Sequence, residues 1–366
     1  MLNRQTRRQL LKGSVLVSAA LGTKARAQPT NGPSETPRQH LSRMISGFQF
    51  SQMIHVAARL RIADQLVGGP RTVAQLAAAT KTHADSLYRV LRTLAGMGIF
   101  AEDEDLQFRL TPAAELLRSG VPGSMRAHAE AAGEEWMWRP WGALVHSVTT
   151  GDTAFDHLYG KNTFDWFGEH PDAARLAASM YTENTATTSE AIVAAYDFSA
   201  ARTVVDVGGG EGFLLASILR RNRSAHGVLF DLDHVVASAR TKLDRDIAGR
   251  CEFVGADFFK AVPAGGDLYV MKHILHDWND GRANRLLTNC RHAMAGRGKL
   301  LVVDYVICGR NQPCFAKQGD INMMVRTGGR NRTEKEYRDL FKSGFDTARA
   351  ITSVGELSLI EALPRS

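Results

Sequence analysis

Cysteine is scarce: the 366 residues hold four, Cys251, Cys290, Cys308 and Cys314, with no CxxC pair and no histidine at metal-ligand spacing. That excludes a metal site built on cysteine and predicts buried free thiols. Cys308 and Cys314 share one Gly/Pro-containing loop and are the only pair worth checking for a disulfide. The weakly apolar stretch Gly13–Gly22 is too short, and too rich in Gly, Ser and Ala, to span a bilayer. Acidic residues are nearly absent from residues 1–40. There Arg4, Arg7, Arg8, Lys12, Lys24, Arg26, Arg38 and His40 face only Glu35, so the net charge of +7 sits largely in that segment and the rest is near neutral. The overall charge is therefore no argument for nucleic acid as a partner. The phosphate cradle G-x-x-x-x-G-K-[ST] is missing as well. A hydrophobic share of 44% and a charged share of 23% leave an ordinary globular protein, long enough for two domains.

The basic start has an order of its own. In "TRRQLLKGSVLVSAALGTKARAQ", Arg7-Arg8 precede a weakly apolar run, and Ala25-Arg26-Ala27 supplies an A-x-A site before Gln28. This is the order of a secretory signal, and the arginine pair resembles bacterial twin-arginine export signals. The competing reading is a basic extension ahead of a true start near Met44. Pro29–Gln39 reads as an unstructured linker, so residues 1–40 are set apart from the folded chain.

Residues 41–117 give short helices and then a hairpin. Met53, Val56, Leu60, Ile62 and Leu66 recur at helical spacing, and "TVAQLAAAT" opens on a capping threonine. "HADSLYRVLRTLAGMGIF" aligns Leu87, Val90, Leu91 and Leu94, and "IFAEDEDLQFRLTP" alternates around a polar turn. Together they predict a winged helix. A DNA regulator is the rival reading, but the wing tip Glu102-Asp103-Glu104-Asp105 would repel phosphates. Arg89 and Arg92 also stand without the Asn, Gln and Arg cluster that reaches base edges. Dimerisation fits better, because the stripe Met53 to Leu66 exceeds what one small domain needs to bury.

Residues 118–197 read as helical linker and pocket wall; from residue 198 the pattern alternates strand and helix. "TVVDVGGGEG" is a buried strand entering a glycine turn, "GVLFDLDHV" a second strand ending in Asp231, and "CEFVGADFF" a third leading to Asp257. This predicts an α/β fold with a doubly wound, mostly parallel Rossmann-like sheet and a ligand at its carboxyl edge. A dinucleotide fingerprint needs a third glycine where Phe213 stands. Gly208 and Gly210 line the turn, and Asp206 before them suits a ligand ammonium rather than a phosphate. Asp231 is placed for ribose hydroxyls, Asp257 for an adenine amino group and Phe258 for the adenine ring. A cationic ligand with adenine, ribose and an amino acid, lacking phosphate, is S-adenosyl-L-methionine.

"MKHILHDWNDGRA" then sets His276 just past a strand, with His273 read as packed or structural. Taken with "VVDVGGGEG", "FDLDHV", "GADFF" and "GGRNRTEKEY", residues 43–364 resemble the plant-type small-molecule O-methyltransferases and their bacterial relatives. The resemblance implies a winged-helix dimerisation domain, a class I methyltransferase domain and a homodimer. It implies S-adenosyl-L-methionine as methyl donor, a small aromatic acceptor, no nucleic acid, and His276 as general base. The sulfonium is already activated, so no metal is required. The family brackets its histidine with two acidic residues; Asp304 matches the first, whereas Asn331 stands at the second, usually Glu. Lys272 matches a lysine near the cofactor, and Met180, Trp278, Met323 and Met324 match the acceptor wall. Of Trp136, Trp138, Trp141, Phe155, Trp166 and Phe167, two or three are expected to join them. The departure at Asn331 keeps open a family member that binds ligand without ordinary methyl transfer. A cytosolic cofactor also sits awkwardly with the export-like start.

Overall fold

The computed structural model describes residues 35–365, and the chain divides into a unit ending at Phe48 and a unit running from Gln49. The export-like Thr6–Gln28 and most of the linker lie outside the described residues. A helix opens at Pro37, inside the stretch expected to be unstructured. Thr36 caps it and exchanges hydrogen bonds with Gln39, while proline at the first turn forfeits only an amide that would lack a partner. Leu41, Met44, Ile45 and Phe48 are all exposed on this first unit.

The second unit begins with the expected winged helix. Helices Val73–Thr80 and Ala84–Gly96 pack with strands β1 (Arg71–Thr72), β2 (Phe100–Glu102) and β3 (Gln107–Leu110), paired antiparallel in the order β1-β3-β2. Thr72 caps its helix with Gln75, as the sequence indicated. The stripe from Met53 to Leu66 behaves differently from expectation. Ile62 and Leu66 are buried in the winged core and Met53 and Leu60 pack against it, so the domain itself uses most of that surface.

Eight strands form the main sheet. The parallel set is β4 (Thr203–Val207), β5 (His226–Asp231), β6 (Cys251–Gly255), β7 (Leu268–Lys272) and β8 (Lys299–Ile307). The short β9 (Arg332–Thr333) pairs with β8, and a hairpin of β10 (Phe345–Val354) and β11 (Leu357–Pro364) joins antiparallel at one edge. The order is β10-β11-β8-β7-β4-β5-β6. Alternation along each strand feeds two cores. Val205, Val207, Tyr269 and Met271 face helices Asp280–Met294 and Glu334–Phe341; Val204, Leu268 and Val270 face helix Phe213–Arg221. Helices on both faces make the sheet doubly wound, and its order reverses between β4 and β7.

The expectation of buried free thiols holds in full for Cys290 alone, Cys251 being half-buried. Cys251 and Cys290 are free, whereas Cys308 and Cys314 are joined as a disulfide with Cα atoms 6.3 Å apart. The loop between β8 and helix Phe315–Arg326 folds back sharply enough to bring the two residues within bonding reach.

Candidate active site

The carboxyl ends of β4, β5, β7 and β8 carry the polar residues of the site. After β4 the chain turns through Gly208 at a φ of 70°. A Cβ there would lie 2.4 Å from the Ile274 side chain, so only glycine lets the turn pass beneath the segment leading to His276. Asp231 braces the turn: its Oδ2 accepts from the Gly210 amide at 2.9 Å and its Oδ1 from Leu232 at 2.7 Å. Asp206 is 2% exposed, and its Oδ2 has no partner. Burial first, then the charge of Asp231, pushes its carboxyl up to about 7. An orphaned carboxylate beside an open glycine turn fits a ligand bearing an ammonium group.

Two of the other three cofactor candidates fill partly structural positions. Asp257 Oδ1 accepts from the Phe259 amide at 2.8 Å and closes the turn after β6. Phe258 packs edge-on against Phe259 and reaches the Gly208 turn. Lys272 is no surface charge. It is buried at the end of β7, donates to Thr185 Oγ1 at 3.0 Å, and is pushed down to about 8 by burial against the pull of Asp304 and Asp206. Thr185, on helix Pro171–Ala195, escaped sequence reading because a lone threonine in a helix has no motif.

His276 lies in a short turn, Leu275–Asp277, just beyond β7. Its Nδ1 is 2.6 Å from Asp304 Oδ1, at an angle short of hydrogen-bond alignment. Burial, the largest single effect, lowers the imidazole pKa, but the charge and close polar contact of Asp304 together with the charge of Asp277 outweigh it, and the net shift is upward. Burial likewise raises the Asp304 carboxyl, but His276 and then His273 outweigh it and hold it well below the ordinary carboxylate range. His273 stands at a φ of 57°, its Nδ1 3.7 Å from the same oxygen. Burial and the neighbouring Lys272 push it down to about 3, so it stays neutral. The three side chains His273, His276 and Asp304 have metal-ligand types within 4.8 Å of one another, but Asp304 is already committed to the histidines.

Asn331 departs from expectation. It is buried, its Nδ2 donates to Ala316 O at 2.8 Å, and its Oδ1 lacks a partner. No hydrogen bond joins it to the His276 ring among the described residues. The adjacent Arg332, which sequence reading passed over, does more for the turn. Its guanidinium donates to Leu275 O at 3.0 Å and Trp278 O at 2.9 Å, and pairs with Asp280 at 2.8 Å. It thus grips the turn on both sides of His276. Gly329 lets this segment approach, since a Cβ there would fall 2.0 Å from His276 O.

The acceptor candidates separate into groups. Met180 packs with Trp136, Phe155, Trp166 and Phe167, while Trp138 is exposed. Trp141 donates from Nε1 to Asn322 Oδ1 at 3.2 Å, on the helix that bears the half-buried Met323 and Met324. Trp278 is not part of the Met180 cluster. It packs in the core against Phe259 and stacks on Phe164, with Arg282 over its ring. It also edges a groove of about 680 Å³ whose lining includes Asp156, His157 and Arg282 but not His276. The aromatic spacing after His276 therefore marks packing at Trp278.

Comparison with known proteins matches these features. An O-methyltransferase dimerisation domain matches residues 42–120 and an O-methyltransferase domain residues 141–346. The chain is 43% identical over 326 residues to a phenazine O-methyltransferase, PhzM, of Lysobacter antibioticus, covering 88% of this chain and 95% of the relative. The crystal structure of LaPhzM superposes with a TM-score of 0.86 at 43% identity, covering 90% of this chain and 99% of the other. NcsB1, an O-methyltransferase of neocarzinostatin biosynthesis solved with S-adenosylmethionine and 2-hydroxy-5-methyl naphthoic acid, superposes with a TM-score of 0.74. There the identity is 31%, with 86% and 96% of the two chains covered.

Proposed function

The chain belongs to the O-methyltransferase family that carries a dimerisation domain, and from that premise we propose that it methylates a hydroxyl of a small aromatic acceptor with His276 as general base. S-adenosyl-L-methionine is the cofactor of the enzyme; when bound, it supplies a methyl group on cationic sulfur. Asp206 is suited to its ammonium group and Asp231 to its ribose. The observation that carries the reading is the buried His276–Asp304 pair beside the glycine turn.

A phenol of pKa about 10 is almost wholly protonated near neutrality, and its anion is the better nucleophile. With Nδ1 held toward Asp304, His276 has Nε2, 3.8 Å from Asp277 Oδ1, to take the hydroxyl proton, and the Asp304 carboxylate stabilises the resulting imidazolium. Such a positioned base contributes about 10²–10⁴-fold. His276→Ala is therefore expected to lower turnover of a phenolic acceptor by about that factor while leaving cofactor binding intact in calorimetry. Turnover at the wild-type rate overturns the assignment. Loss of one carboxylate partner at Asn331 makes His276 a weaker base than a two-carboxylate site would, and so favours a more acidic acceptor. The same reading takes the protein as a homodimer assembled through its winged-helix domain, supported by the match over residues 42–120.

A further inference from the structure

Arg326 closes the helix that carries Met323 and Met324, and it is 2% exposed. Its Nε and one terminal nitrogen are buried without a partner, and it forms no ion pair with any carboxylate among the described residues. Its guanidinium carbon lies 5.4 Å from the centre of the Trp136 ring, within the aromatic cluster that also holds Met180. Its charge reaches Asp277, next to the proposed base, and draws that carboxyl down against the larger effect of burial. A ring face compensates a desolvated cation only in part, and guanidinium hydrogen atoms left unmatched are costly. A buried charge persists where something pairs with it.

We propose that Arg326 recognises a carboxylate on the aromatic acceptor, making the substrate a hydroxyarene carboxylic acid. The proposal rests on the methyltransferase reading and narrows its substrate class. Guanidinium and carboxylate match as planar two-point partners, and an arene bearing both groups would set its ring among Trp136, Met180 and the methionines. The carboxylate anchors the ring at Arg326, so its hydroxyl is presented to His276 in a restricted set of poses.

The test uses the full chain loaded with S-adenosylhomocysteine and two probes, 1-hydroxy-2-naphthoate and 1-naphthol, titrated by calorimetry. The wild type should bind the carboxylate about ten- to hundredfold more tightly than the naphthol, as expected of a buried charge-assisted pair. Arg326→Gln should abolish that preference, and Arg326→Lys should keep part of it. Equal affinity for the two probes, binding of neither, or a preference that survives Arg326→Gln overturns the proposal. S-adenosylhomocysteine affinity and thermal melting report whether Arg326→Gln is folded; if it is not, the wild-type ratio and Arg326→Lys decide. Mass spectrometry of the same probes with S-adenosylmethionine separates the two readings. Methylation of both at equal KM keeps the transferase and removes the carboxylate. Carboxylate binding lost in Arg326→Gln, without any methylated product from the wild type, does the reverse.

Discussion

At the scale of single residues, the site turns on how three closely packed groups share charge. Asp304 stays ionised because His276 and His273 crowd one of its oxygens, and His276 is raised because Asp304 stays ionised. As the proposed base, His276 would work as neutral imidazole, so the rate should climb as pH rises through its pKa. Asp304→Asn removes the carboxylate that raises this pKa. Its acid limb should therefore move to lower pH, together with a drop in kcat from loss of imidazolium stabilisation. A pH–rate profile of both proteins checks this, and an unmoved limb would mean that another group titrates. His276 and Asp304 were legible from the sequence because the motif and a strand-end acid locate them. The contact of Asn331 with Ala316 was not, since it depends on how closely a residue fifteen positions away approaches.

At the scale of elements, the turn carrying His276 is a short loop held by its neighbours. Arg332 supplies hydrogen bonds to two of its carbonyls and reaches them from β9 only because Gly329 allows close passage. Arg332→Met leaves the Leu275 and Trp278 carbonyls buried without donors and should cost about 2–4 kcal/mol in denaturant unfolding. Activity should fall further than stability alone explains, because the histidine loses its frame. The loop from Cys308 to Cys314 is a second clamp, between the strand bearing Asp304 and the helix bearing Met323. For so short a loop the chain-entropy contribution is about 2 kcal/mol. Cys308→Ser with Cys314→Ser should lower Tm by several degrees in a thermal melt.

At the scale of the whole molecule, apolar surface is left exposed outside the winged core. The stripe ending at Leu66 is consumed by the winged core, while Leu41, Met44, Ile45 and Phe48 remain exposed. An apolar cluster of that kind outside the core marks a surface meant to be covered. Ile45→Glu combined with Phe48→Glu should convert a dimer in light scattering to a monomer of about 40 kDa, the mass of one chain of 40.1 kDa. No helix among the described residues is long and apolar enough to cross a membrane.

The alternating hydrophobic pattern, the glycine turn and the acids after the strands determined the sheet, its winding and its polar carboxyl edge. Those features are local in sequence, and a two- or 3.6-residue period records them directly. Tertiary structure alone decided which polar groups lack partners. Arg326 carries no motif in the sequence, and Lys272 only matches a lysine near the cofactor. Each becomes a buried charge only when helix Phe315–Arg326 meets the Trp136 cluster and helix Pro171–Ala195 crosses the end of β7. Burial and unmet hydrogen bonds depend on what arrives from elsewhere in the chain, and no local spacing encodes that.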